Sequence, residues 1–297
     1  MYKIFIWGTG NGYNYSIGIL KFFESIKEIE IVGITSNDLY YSELDGIKFY
    51  QKNELDRVDF DYIIVTAKNV FDDICDEGIT LGIEKEKFIP ANVLFLPGFS
   101  FDRYIQLIKS KISIISDDCW GGITYHYFHM QFQSPFINMY IEDDEYLRLL
   151  LNLKQYLAEP IVYCANEINP VEKFEYPVFK LGDVKLHMNH YHSIEEGERL
   201  WYERLRRVNW DNIFVMMYTE SNSVAKVFSE LSFKKKVCFV GSDDIKYPNV
   251  MPIKPFQYRK DETKMLWEYV LAIAGGRIAY YDVWPLLLEG KIIYRAR

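Results

Sequence analysis

The sequence predicts an α/β protein: an N-terminal parallel sheet followed by a second α/β domain. Three observations carry this. Short β-branched runs alternate with stretches of helical period along most of the chain. A glycine-containing turn, Gly8-Thr9-Gly10-Asn11-Gly12, follows the first strand directly. A second strand, turn and helix begin at Ile112. The 297 residues allow about two domains. Their expected bounds are 1–110 and 111–297, with a joint punctuated by Pro97-Gly98.

In order, Lys3 to Trp7 reads as a strand. Tyr15 to Ile26 reads as a helix, with Ile19, Phe22, Phe23 and Ile26 on one face. Glu30 to Ile34 reads as the next strand, running into Thr35-Ser36-Asn37-Asp38. This is the βαβ opening of a Rossmann-like domain. In that fingerprint the first glycine makes a tight turn, the second admits a pyrophosphate and the third lets helix pack on strand. Gly8 and Gly10 match, while Gly12 falls one residue early and Tyr13 holds the third place. Asp38 lies where a ribose-binding acid is expected. Gly8, Gly10, Gly12 and Asp38 are therefore the candidate cofactor-binding residues, with a nucleotide or nucleotide-sugar as expected ligand. A glycine-rich turn is equally what a tight β-to-α connection needs. Asp45-Gly46 is a turn, Gln51 to Leu55 a short helix, Asp61 to Ala67 a strand and Phe71 to Leu81 a helix. Phe101 to Ile108 reads as the helix leading into the second domain.

The second domain is organised around Ile112 to Asn138. Ile112, Ile114 and Ile115 form a buried strand that stops at Ser116-Asp117-Asp118. Cys119-Trp120-Gly121-Gly122 reads as a turn, and Ile123 to Gln131 as a helix. Polar residues at such a strand end lie where α/β domains bind ligands. Asp117 and Asp118 can act as bases toward a sugar hydroxyl, or hold a divalent cation against a diphosphate. With His126 they are the catalytic candidates. Trp120, Gly121, Gly122 and Tyr125 are the substrate-binding candidates, by stacking and by close backbone approach. Asp118 can equally cap the turn, and Trp120 and Tyr125 can equally be core. Cys119 reads as a free thiol, and His126 with His129 lacks a third metal ligand.

Glu142 to Glu145 reads as acids complementing a helix dipole, ahead of a helix from Tyr146 to Leu157. Tyr176 to Leu181 and Val184 to Asn189 form a hairpin about Gly182-Asp183. His187, His190 and His192 read as surface or hydrogen-bonded residues. Ser193 to Val208 is a helix with Ser193 and Glu196 as its capping box. Its arginines Arg199, Arg204, Arg206 and Arg207 read as a solvated face offset by acids. Ile213 to Tyr218 and Lys236 to Val240 are strands about a helix from Val224 to Leu231, the second strand ending Gly241-Ser242-Asp243-Asp244. Lys264 to Ala274 and Val283 to Glu289 are closing helices.

The net charge of −8 and pI near 5.3 argue against a nucleic-acid partner. Four scattered cysteines fit free thiols in a reduced cytoplasm. No run reaches the roughly 18 apolar residues of a membrane span, so any membrane contact is expected to be peripheral.

The motif SDDCWGG, the helix carrying Tyr125 and Tyr127, and the QSPFIN that follows resemble a bacterial family called domain of unknown function nineteen-nineteen. The stretch NWDNIFV at Asn209 to Val215 extends the resemblance. Members are associated with exopolysaccharide or capsule biosynthesis. The resemblance implies a pathway without fixing a reaction. It leaves a transferase acting on an activated sugar or its acceptor, and a non-catalytic scaffold with a degenerate Rossmann-like domain.

Overall fold

The computed structural model describes residues 1–37, 42–169, 172–242, 245–253, 266–276 and 281–294. Two compact units divide between Tyr104 and Ile105. The division falls inside a helix, a few residues before the expected joint.

In the first unit, β1 (Tyr2–Trp7) enters α1 (Asn11–Ser25), then β2 (Ile29–Thr35), a small hairpin β3 (Glu43–Leu44) and β4 (Ile47–Lys48), β5 (Tyr62–Val65), α2 (Phe71–Thr80) and β6 (Phe88–Pro90). The order β2-β1-β5-β6 is parallel throughout. Every residue of β5 is buried, as is Ile4 to Trp7 of β1. Strands covered on both faces read as continuous apolar runs, which is why both were legible. The short helix expected at Gln51 is a 3₁₀ turn, Lys52–Arg57, closed by a reciprocal Gln51–Glu54 cap.

The second unit takes up α3 (Phe101–Lys109) at the division, then β7 (Ser113–Ser116), α4 (Trp120–Tyr127), α5 (Asp143–Leu151) and α6 (Leu153–Tyr156). An antiparallel sheet follows, β8 (Ile161–Ile168), β9 (Glu175–Leu181) and β10 (Val184–His187), and then α7 (Ile194–Leu205). The chain returns through β11 (Ile213–Thr219), α8 (Asn222–Glu230), β12 (Lys235–Val240) and β13 (Val250–Pro252), and ends with α9 (Leu266–Ala272) and α10 (Val283–Glu289). The main sheet, ordered β13-β12-β11-β7, is parallel. Its strands therefore end on one edge, at Ser116, Thr219, Val240 and Pro252. One core of Ile115, Val215, Met217, Cys238 and Val240 with Tyr146, Leu149 and Phe228 joins this sheet to its helices.

Tyr146 ties the sheet together. Its buried hydroxyl lies 2.9 Å from the Ile115 carbonyl and 2.9 Å from the Met216 carbonyl, on neighbouring strands. Tyr146→Phe removes that donor and is expected to lower unfolding free energy by about 1–2 kcal/mol in chemical denaturation.

Four expectations change. Trp120, Gly121 and Gly122 form the first turn of α4 instead of a loop, and α4 ends at Tyr127. The helix after Glu142 begins at Asp143 and breaks at Asn152, whose φ is −135°. Strands β8 and β13 were not read from the sequence. The strand β12 ends as expected, but Asp243 and Asp244 lie outside the described residues, as do the first residues of the helix expected from Lys264.

Candidate functional site

The loop after β7 carries Asp117 and Asp118 to the carboxyl edge of the main sheet. Asp117 is buried, at 4% exposure. Its carbonyl accepts from the Ile141 amide at 2.9 Å, and its Oδ2 accepts from the Tyr218 amide at 2.9 Å. Its Oδ1 is buried with no hydrogen-bond partner among the described residues. Asp118 follows the same division. Its Oδ1 accepts from the Trp120 amide at 2.8 Å, capping α4, and its Oδ2 is buried without a partner. Ser116 braces the turn, donating to the Asp118 carbonyl and accepting from the Gly121 amide. In each carboxyl, one oxygen holds the loop and the other is left unused.

An unpartnered buried carboxylate oxygen is costly, and the group answers by holding its proton. Burial pushes Asp117 well above the usual carboxylate range; the neighbouring Asp118 and, less strongly, Asp143 add to this. Burial pushes Asp118 up to about 6, against the opposing amide of Trp120. Both carboxyls are thus raised, Asp118 to about 6 and Asp117 in the same direction by burial and by its neighbour.

Asp143 joins this edge, which the sequence did not disclose. The Thr219 hydroxyl, at the end of β11, donates to Asp143 Oδ2 at 2.5 Å. Burial raises Asp143, and the nearby carboxylates Glu142, Asp144 and Glu220 raise it further. Four acids beginning a helix have a sufficient explanation in its dipole, and nothing in their order says which one turns inward. The Tyr218 hydroxyl donates to Glu220 Oε1 at 2.7 Å, adding a second polar pair beside the first.

The other predicted residues are placed differently. Trp120 has no exposed surface and stacks on Phe214 at 5.9 Å, so it is core instead of a sugar platform. Tyr125 is equally buried; its hydroxyl accepts from the Ile114 amide and donates to the Ile112 carbonyl. Tyr125→Phe is expected to cost about 1–3 kcal/mol of stability, because it orphans the Ile114 amide, while ligand affinity of the folded variant stays unchanged. Gly121 packs on Ser116 and Ile114, and Gly122 on Ile137 and Asn138, at distances a methyl would crowd. Their small size lets α4 approach the strand. His126 is exposed, and its ring stacks with that of His129 at 5.9 Å. The Cys119 thiol is pushed up to about 12 by burial and by Asp118, which makes it a poor nucleophile. Among the described residues, no group of three or more His, Cys, Asp or Glu side chains is arranged to hold a metal ion.

The glycine loop of the first unit is considered by itself. Gly8 has φ +119°, a conformation side chains rarely adopt. Gly12 presses on the Thr66 carbonyl so closely that a Cβ would overlap it. Gly10 has nothing within 4 Å of a Cβ position and opens α1 with no side-chain cap. Turn, open approach and close packing are therefore divided among Gly8, Gly10 and Gly12, despite the displaced third glycine. Tyr13 is core, with its hydroxyl donating to Asp45 at 2.8 Å. Asp38 lies outside the described residues.

Residues 91–282 match the family model described as domain of unknown function, DUF1919, which is more than half of the chain. The chain belongs to the DUF1919 family. Residues 1–89 match a second model, C2185-like, N-terminal, where the sequence alone had suggested a resemblance to small Rossmann-like domains. An uncharacterized protein of Haemophilus influenzae is 34% identical over 164 residues, covering 54% of this chain and 77% of the relative. The DUF1919 match takes in β7 to β13, and with them Asp117, Asp118, Asp143 and Thr219. No described helix of this DUF1919 protein is long and apolar enough to cross a membrane.

Proposed function

We propose that this DUF1919 protein is a transferase of exopolysaccharide or capsule biosynthesis, with its reacting centre at the carboxyl edge of the main sheet. The observation that carries the reading is the pair of buried oxygens, Asp117 Oδ1 and Asp118 Oδ2, which have no hydrogen-bond partner among the described residues. A fold gains nothing by burying two adjacent carboxyls half-satisfied, and such strain concentrates at functional sites. Asp118, with its pKa near 6, is mostly ionised at neutral pH yet more basic than an ordinary carboxylate. It takes the proton of an acceptor hydroxyl as that oxygen bonds to the donor's anomeric carbon. The carbon–oxygen bond to the donor's phosphate breaks, and the nucleoside diphosphate leaves with the electron pair. Asp117, whose protonated form burial favours, donates a hydrogen bond at the carboxyl edge.

The open Gly10 approach of the first unit, taken by itself, is a candidate phosphate site for a nucleotide. A specific observation favours a second reading for that unit. Gly8 and Gly12 both have packing reasons to be glycine at Thr66, so the loop is explained without a ligand, as in a degenerate domain of a scaffolding protein.

The test is release of nucleoside diphosphate from a panel of nucleotide-sugars, with oligosaccharide acceptors and with Mg²⁺ or Mn²⁺ present or absent. The wild type is expected to release it, and Asp118→Asn to fall by about 10²-fold or more, the usual worth of a general base. Equal release by both proteins would remove Asp118 from the reaction. No release from any donor by folded wild type would favour the scaffold.

A further inference from the structure

Helix α7 carries an arginine that the fold buries without a counter-ion. Arg204 is 6% exposed, on the face that also carries Trp201, three residues earlier. Its Nη1 donates to the Tyr191 hydroxyl at 2.5 Å. The Tyr191 hydroxyl in turn donates to the Ile137 carbonyl at 2.7 Å. The guanidinium carbon lies 5.0 Å from the Phe132 ring centroid and 5.9 Å from that of Tyr191. Arg204 Nε is buried with no hydrogen-bond partner. Among the described residues, no carboxylate lies within ion-pair distance of Arg204. One turn on, Arg207 repeats the pattern: its Nε is buried and unpartnered, and its Nη2 is 3.4 Å from the half-exposed Glu203.

The usual accounts of a buried arginine do not cover this one. The C-terminal dipole of α7 favours a cation but does not supply an acceptor for Nε. Aromatic faces stabilise the guanidinium plane and likewise leave its edge unbonded. A buried cation is ordinarily paired. The guanidinium edge that carries Nε is one that grips an oxyanion through two parallel N–H bonds, and on Arg204 that Nε has no partner. Arg207 is already paired with Glu203, so the uncompensated charge is that of Arg204; the second unpartnered Nε asks for a further acceptor oxygen, and a phosphoryl group offers three oxygens where a carboxylate offers two.

We propose that Arg204 and Arg207 form a binding site for a phosphoryl dianion, lined by Phe132 and Tyr191. The proposal does not depend on the transferase reading. The phosphoryl group belongs either to free phosphate or to a phosphorylated ligand such as a sugar phosphate.

Melting of the full chain is followed in inorganic phosphate, in a sugar 1-phosphate and in acetate, all at one ionic strength. Phosphate near saturation is expected to raise the wild-type melting temperature by roughly 5 °C, and acetate not to raise it. A larger rise with the sugar 1-phosphate at equal concentration assigns the site to a phosphorylated ligand; an equal rise assigns it to the oxyanion alone. Arg204→Met removes the unpaired buried cation. Without anion it is expected to melt at or above the wild-type temperature, and with phosphate it is expected not to shift. Arg204→Lys, which keeps the charge and loses the fork, is expected to keep less than half of the shift and serves if the methionine variant does not fold. Phosphorus NMR line broadening of phosphate by the wild type reads the same binding without a variant. No phosphate-dependent shift or broadening in the wild type overturns the proposal, as does a full shift in Arg204→Met or Arg204→Lys.

Discussion

Asp118→Asn is expected to gain about 3 kcal/mol of stability relative to the wild type as the pH rises from about 4 to about 8. The figure follows from burial, which moves Asp118 from an ordinary carboxylate value up to about 6 in the folded protein. Between those values the folded chain binds more protons than the unfolded one. The stabilisation is complete below about pH 4 and is lost as the pH climbs through about 6. Asparagine cannot ionise, so the variant escapes that loss. It can still accept from the Trp120 amide, which keeps the cap of α4. Asp117 is raised in the same direction by burial and by Asp118, so Asp117→Asn is expected to flatten the same limb. Urea titrations of both variants across pH measure this. A wild-type stability that instead rises between pH 4 and 6, with no change on substitution, would mean that these carboxyls are solvated or paired.

Gly12→Ala is expected to destabilise the protein by about 3 kcal/mol or more, while Gly10→Ala costs under about 1 kcal/mol. The two sites are two residues apart on one helix start. The methyl at Gly12 would meet the Thr66 carbonyl, a backbone atom that cannot move aside. At Gly10 the same methyl meets open space. If phosphate approaches there, Gly10→Ala leaves melting intact and weakens nucleotide binding at least about tenfold, a loss worth some 1.4 kcal/mol. Paired melting and binding measurements on the two variants separate packing from function, which no count of glycines can do.

What the sequence disclosed follows from which side of each element is buried. Strands covered on both faces, such as Ile63 to Val65 and Ile114 to Ile115, read as unbroken apolar runs. The polar stop after Ile115 marked the carboxyl edge, and Asp117 and Asp118 with it. Strand β8 was missed because Val162 to Cys164 and Ile168 are exposed and their sequence has no alternation. Trp120 and Tyr125 stay open between ligand and core in the sequence because an aromatic beside a glycine turn looks the same whether it faces a ligand or a core. Asp143 was hidden by a dipole explanation that is true of its neighbours. Arg204 was taken for a solvated residue by counting charges on α7. Its position three after Trp201 and four before Val208 sets it on the inward stripe, and that spacing was available to read.

The most direct test of the carboxylate site is one comparison, wild type against Asp118→Asn, of nucleoside diphosphate release across a panel of nucleotide-sugars at neutral pH. The account predicts that the wild type consumes at least one donor, and that Asp118→Asn, folded and no less stable when unliganded, keeps the donor-induced rise in melting temperature yet releases at least about 10²-fold less. Equal release by both proteins, or none by the wild type, would contradict a reacting centre at Asp117 and Asp118.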